Sequence, residues 1–192
     1  MPSNARRLRT ALIGLVVLAN VTWLTGPVSA QDKEQHVKVA FLYNFAKFTR
    51  WPETAFAGQA AFELCVIGND PFGALLDALA QKSVGEHRVA IRRLMRPAEA
   101  AHCHMVFIAQ DAVAAHDGVP DELVGPGVLL VGDSPGLASR GAIINLVTDA
   151  NKVRFEVNIE AARRAGLVLD TQLLRLGRLV GDEPQANGEA RQ

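Results

Sequence analysis

The apolar positions of this 192-residue chain change their spacing from one segment to the next, and each spacing predicts an element. Val37, Phe41, Phe45 and Phe48 recur at intervals of four, four and three, one apolar stripe on a helix that starts among Asp32, Lys33 and Glu34. Pro52 ends it, because a residue before proline is pushed out of the helical region. Residues 53–61 read as a loop. Residues 62–67 alternate as a strand and run into the turn formers Gly68-Asn69-Asp70-Pro71. Leu75, Leu76 and Leu79 give residues 72–81 a helical face, and 88–94 form a second strand, with Val89, Ile91 and Arg93 on one side. A helical turn at 97–101 precedes a strand over 104–109 with the unbroken apolar run Met105 to Ile108, and a second turn at 111–115 precedes the run Val128 to Val131.

Unbroken apolar strands separated by helices belong to parallel sheets covered on both faces. Residues 142–147 and 153–157 are joined instead by the polar stretch 148–152, which predicts an antiparallel hairpin. Helices over 160–165 and 171–180, broken at Gly166, complete the fold. The expected fold class is therefore α/β, one domain over 31–180 with a mixed, mostly parallel sheet flanked by helices and a C-terminal antiparallel hairpin. Residues 181–192, polar with Gly and Pro, read as a disordered tail.

The N-terminal pattern assigns a compartment. Arg6, Arg7 and Arg9 precede an apolar run from Ala11 to Leu24, followed by Gly26-Pro27 and Val28-Ser29-Ala30. That order predicts a cleavable export signal over 1–30, cut after Ala30, and so a periplasmic protein with no membrane insertion after cleavage. Without that segment the chain holds 17 basic and 20 acidic side chains, a net of −3, which gives no electrostatic reason to bind nucleic acid. Cys65 and Cys103 are the two cysteines. In an oxidising compartment they argue for one disulfide, the competing reading being two buried free thiols.

Candidate chemistry is sparse. Gly132-Asp133-Ser134 has the start of a hydrolase motif, but no Asp-x-x-His follows, and the same residues are ordinary turn formers. Asp70 with Pro71 reads either as punctuation at a helix start or as a ligand contact at a strand's carboxyl end, and Asp133 shares the second possibility. His102 and His104 around Cys103 read as ordinary polar positions. Arg154 and Glu156 share one strand face and read as a surface pair. Neither a phosphate loop nor metal-ligand spacing is found, so the sequence predicts no enzyme, no cofactor and no metal site.

The segments Val37-Lys38, Asn44-Phe45-Ala46-Lys47-Phe48, Trp51-Pro52, Leu64-Cys65-Val66-Ile67-Gly68, Cys103-His104-Met105-Val106-Phe107-Ile108, Gly141-Ala142-Ile143-Ile144-Asn145-Leu146 and Val153-Arg154-Phe155-Glu156-Val157-Asn158 resemble the YfiR-like periplasmic proteins over residues 36–180. The resemblance implies a regulator that represses an inner-membrane diguanylate cyclase by binding its periplasmic sensory domain, lowering cyclic di-GMP signalling. It also implies sequestration by an OmpA-like outer-membrane lipoprotein, a homodimer and one of the family's disulfides. Tyr43, Phe48 and Trp51 are candidate partner contacts, because the first helix carries more aromatics than one buried stripe needs; packing of all three in the core is the alternative. A periplasmic small-molecule sensor using the loops at Asp70 and Asp133 is the second functional reading.

Overall fold

The computed structural model describes residues 30–181. The predicted export segment and C-terminal tail lie outside the described residues except at their boundary positions. No described helix is long and apolar enough to cross a membrane.

Helix α1 spans Ala30–Lys47, and strand β1, Thr49–Arg50, follows it directly. A 3-10 turn, Glu53–Phe56, leads to β2, Ala61–Ile67. Helix α2, Ala74–Asp77, continues as a 3-10 turn to Gln81, and then come β3, Ser83–Val84, and β4, His87–Leu94. Strand β5 is Met105–Ile108, α3 is Gln110–His116 and β6 is Leu129–Gly132. The hairpin pairs β7, Ile144–Asp149, with β8, Lys152–Asn158. The chain closes with α4, Ile159–Arg164, β9, Val168–Leu169, α5, Thr171–Leu176, and β10, Arg178–Val180.

Eight strands form one sheet in the order β10-β8-β7-β6-β5-β2-β4-β3. Strands β4, β2, β5, β6 and β7 are parallel, the central β5 and β6 being fully buried apolar runs, and β8 runs antiparallel to β7. The hairpin is tighter than the sequence predicts: Asp149 pairs with Lys152, and Ala150 and Asn151 both take positive φ, 47° and 61°. Two successive left-handed residues match the twist of a two-residue hairpin.

Both sheet faces are buried. Phe62, Leu64 and Val66 of β2, Met105 and Phe107 of β5 and Leu129 and Val131 of β6 lie under Val39, Leu42, Phe45 and Ala46 of α1 and Leu76 of α2. The other face packs Ile67, Val106, Ile108 and Leu130 against Ala112 and Val113 of α3. Burying each large apolar side chain contributes roughly 1.5–3 kcal/mol. Cys65 on β2 and Cys103 ahead of the neighbouring β5 sit in this second layer and form a disulfide, with Cα atoms 6.0 Å apart.

Four sequence expectations are corrected. First, α1 buries Val39, Leu42, Phe45 and Ala46, whereas Val37 is 43 % exposed and Phe41 and Phe48 are half-buried. The core face is rotated from the expected stripe because Phe41 turns to the sheet margin, against Phe155 of β8. Second, the helix over 171–180 ends at Leu176. Gly177 sits where a Cβ would lie 2.6 Å from the Phe155 ring, and the chain continues as β10, parallel to β8. Third, Glu156 is buried and bonds to Asn145 and to Arg178 of β10, while Arg154 reaches Asp149; the two do not pair with each other. Fourth, His104 is a core side chain.

Candidate functional site

Strand order places a cleft before any side chain is considered. From β2 the chain passes to β4 on one side, and from β5 it passes to β6 on the other, so the connections leaving the carboxyl ends of β2 and β5 run to opposite sides. Crevices at such switch points are where open α/β sheets bind ligands. Here the cleft measures about 470 Å³ and is bounded by Asn69 and Pro71 after β2, Gln110 and Asp111 after β5, Asp133 after β6, and one side of α1. Gly68 makes the first of these turns with φ of 89°, and a Cβ there would stand 2.6 Å from Asp111 Oδ1. Asp111 can therefore accept the Asn69 N–H with both carboxylate oxygens, each at 3.1 Å.

Lys38 is the charge at the centre. It lies on α1, is 6 % exposed, and its Nζ stands 2.8 Å from both Glu34 Oε1 and Asp133 Oδ2. Burial alone would lower the Lys38 pKa, but hydrogen bonds to Asp133 and Glu34, and the field of both carboxylates, outweigh it and raise the value above the usual 10.5. The bond from Lys38 holds the Glu34 carboxyl below its usual 4.5 against the opposing effect of burial, with Thr148 adding a second bond. An ammonium has three N–H groups, so Lys38 retains one for a further acceptor. Gln35 Oε1, on the same wall, is buried without a hydrogen-bond partner. Three carboxylates against one ammonium favour a neutral or cationic polar molecule over an anion.

The two candidate ligand residues separate. Asp133 lines this cleft. Asp70 does not: its Oδ1 accepts the Phe72 N–H at 2.7 Å and its Oδ2 accepts Arg93 Nε at 2.8 Å, so it ties the turn to β4. Ser134 is buried, and its hydroxyl has no hydrogen-bonded base. Lys38, Glu34 and Asp111 were missed as site residues. Lys38 lies 95 positions from Asp133, and no local pattern marks such a pair.

The three candidate partner residues contact different elements. Tyr43 donates to the Ser83 carbonyl at 3.1 Å on β3, with Lys47 Nζ 5.6 Å from its ring centroid. Phe48 borders the short β1–β9 ribbon beside Thr49 and Val168. Trp51 donates from Nε1 to the His104 carbonyl at 3.3 Å and meets Phe62 edge-on at 5.2 Å. All three are half-buried against the core.

His104 joins the β2–β5 layer to the 3-10 turn. Its Nδ1 accepts the Glu63 N–H at 3.0 Å, and Nε2 lies 3.0 Å from the Ala55 carbonyl. The ring is stacked between Phe56, at 4.5 Å, and Phe62, at 5.2 Å, and Phe56 stacks its other face on His87 at 4.3 Å.

A family model described as YfiR/HmsC-like matches residues 35–178, from α1 into β10. Among solved structures, a conserved domain protein from Vibrio cholerae is 12% identical, with a TM-score of 0.47 over 78% of this chain and 60% of that one. A bifunctional 5,10-methylenetetrahydrofolate dehydrogenase/cyclohydrolase from Thermoplasma acidophilum is 15% identical, with a TM-score of 0.27 over 81% and 50%. This chain thus spans 60% and half of the lengths of these two proteins, and neither likeness carries an argument about function.

Proposed function

The chain belongs to the YfiR/HmsC-like family, and from that premise we propose that it is a regulatory binding protein of the periplasm that represses a membrane diguanylate cyclase through the cyclase's periplasmic sensory domain. The observation that carries this reading is the extent of the family match, which takes in the central sheet from β2 through β8 and reaches the first residue of β10. Recognition of a partner protein needs anchors that are partly open to solvent and rigidly seated. Tyr43, Phe48 and Trp51 meet that requirement singly, each fixed by the core and each half-exposed. A homodimer, and sequestration by an OmpA-like outer-membrane lipoprotein, belong to the same proposal. Its test is affinity purification of the tagged protein from the cell envelope, with the co-purifying membrane protein identified. A diguanylate cyclase whose product rises when the regulator is deleted supports the proposal; recovery of no cyclase overturns it.

A second reading is favoured by the position of the cleft at the switch point and by the spare donor of Lys38 beside the unpartnered Gln35 oxygen. On this reading the protein senses a small polar molecule and passes the signal to a membrane receptor. A rise in melting temperature with a small neutral or cationic polar compound, lost in Asp133→Asn, would support it.

A further inference from the structure

The contacts of His104 fix its proton. A ring nitrogen that accepts the Glu63 N–H carries no hydrogen, and one that faces the Ala55 carbonyl carries one, so the ring is the neutral Nε2–H form. Its charged form would set two N–H groups against each other at Nδ1, in a side chain 2 % exposed. Glu63 on β2, His87, Arg88, Arg92 and Arg93 on β4 and Glu53 in the turn are the titratable and charged side chains of the elements packed on this ring, and Arg93 is paired with Asp70 and Asp77. Glu53 is exposed, and Glu63 offers its backbone N–H. His87 lies across Phe56, so the two imidazoles sandwich one aromatic ring, and their charges would repel through it.

The two sides of His104 are unequal. On one side is β2, an interior strand held by β4 and β5. On the other is the four-residue turn Glu53–Phe56, none of whose residues is buried. We propose that the stack His87–Phe56–His104–Phe62 is an acid-sensitive latch, which holds the turn and Trp51 against the sheet at neutral pH and releases them as the surroundings acidify. Protonated His104 loses the Glu63 bond. The turn, not the sheet, gives way, and Trp51 loses the packing of Phe56 along one side. Burial opposes the charged form first, the Ala55 carbonyl favours it and the His87 charge opposes it, so release falls below the ordinary histidine value of 6.5.

The test uses the full chain carrying Trp23→Phe, which leaves Trp51 as its single indole. Trp51 emission is followed from about pH 8 to about pH 5. The expected result is a reversible red shift with unchanged far-ultraviolet circular dichroism. His87→Gln moves its midpoint to higher pH, by removing the repelling charge, and His104→Gln abolishes it. Should His104→Gln fail to fold, nitrogen chemical shifts of the His104 ring in the unsubstituted chain must titrate with the same midpoint as the Trp51 emission. Emission that stays constant to pH 5, a midpoint indifferent to His87→Gln, or a shift that coincides with loss of circular dichroism overturns the latch.

Discussion

Lys38 shows how one side chain can define a site from a position its neighbours do not announce. On α1 it sits between Glu34, one turn back, and Asp133, at the far end of β6. Replacing it by Met keeps the stem but strands the Asp133 carboxylate, whose side chain is 7 % exposed. Orphaning a buried charge is costly, so Lys38→Met is expected to lower unfolding free energy by about 3 to 5 kcal/mol in urea titration. Adding Asp133→Leu should recover most of that loss, because an apolar pair at such a site is often neutral. Ala150 offers the opposite sign. It holds φ of 47° in the hairpin, which an L side chain adopts only with strain, so Ala150→Gly should raise stability by about 0.5 kcal/mol in the same titration. Little of this was legible beforehand. Asp133 was recognisable because a polar residue follows an apolar strand, but its partner was not. His104 looked like a strand-end polar residue because its acceptor and donor, Ala55 and Glu63, lie 49 and 41 positions away.

At the scale of elements, the strands of the parallel sheet were readable and its margins were not. The four-residue apolar runs at 105–108 and 129–132 have no periodicity to misread, and burial on both faces is the condition that produces them. The margins follow tertiary contacts instead. Leu173, Leu174, Leu176 and Leu179 keep helical spacing, yet Gly177 allows the backbone to approach Phe155 and Val157, and Arg178, Leu179 and Val180 join the sheet. Gly177→Ala would drive a methyl group into those side chains. It is expected to free β10 and expose Glu156, which would be seen as faster amide exchange at Leu179 and Val180 while β2 stays protected. The disulfide acts between elements in a different way. It closes a loop of 38 residues across β4 and its connections, so reduction should lower unfolding free energy by about 3 to 4 kcal/mol in the chain-entropy account.

For the whole molecule, the shifted groups set a pH window of stability. The pKa of His104 is lowered in the fold, so its contribution is complete above 6.5 and is lost as pH falls toward the folded value. The Glu34 contribution, also from a lowered value, is complete above 4.5 and disappears at still lower pH. Lys38 works in the other direction: its value is raised, so its contribution is complete below 10.5 and is lost as pH rises through the folded value. Melting temperature is therefore expected to be flat, as far as these groups act, between 6.5 and 10.5 and to fall on both sides, which a calorimetric pH series would check. The short ribbon of β1 and β9 bears on events in time. Thr49 pairs with Leu169 and Arg50 with Val168, and the Asp170 N–H donates to the Phe48 carbonyl at 2.8 Å. The end of the first helix is thus anchored by residues about 120 positions later. During synthesis or passage through a channel, the apolar face of that helix can meet β2, β5 and β6 early, but its C-terminal end has no anchor until residues 168–170 have emerged. The fastening of that end belongs to the final stage of folding, and a chain truncated before residue 168 would keep β2 to β8 but lose β10 and leave the end of its aromatic first helix unmoored.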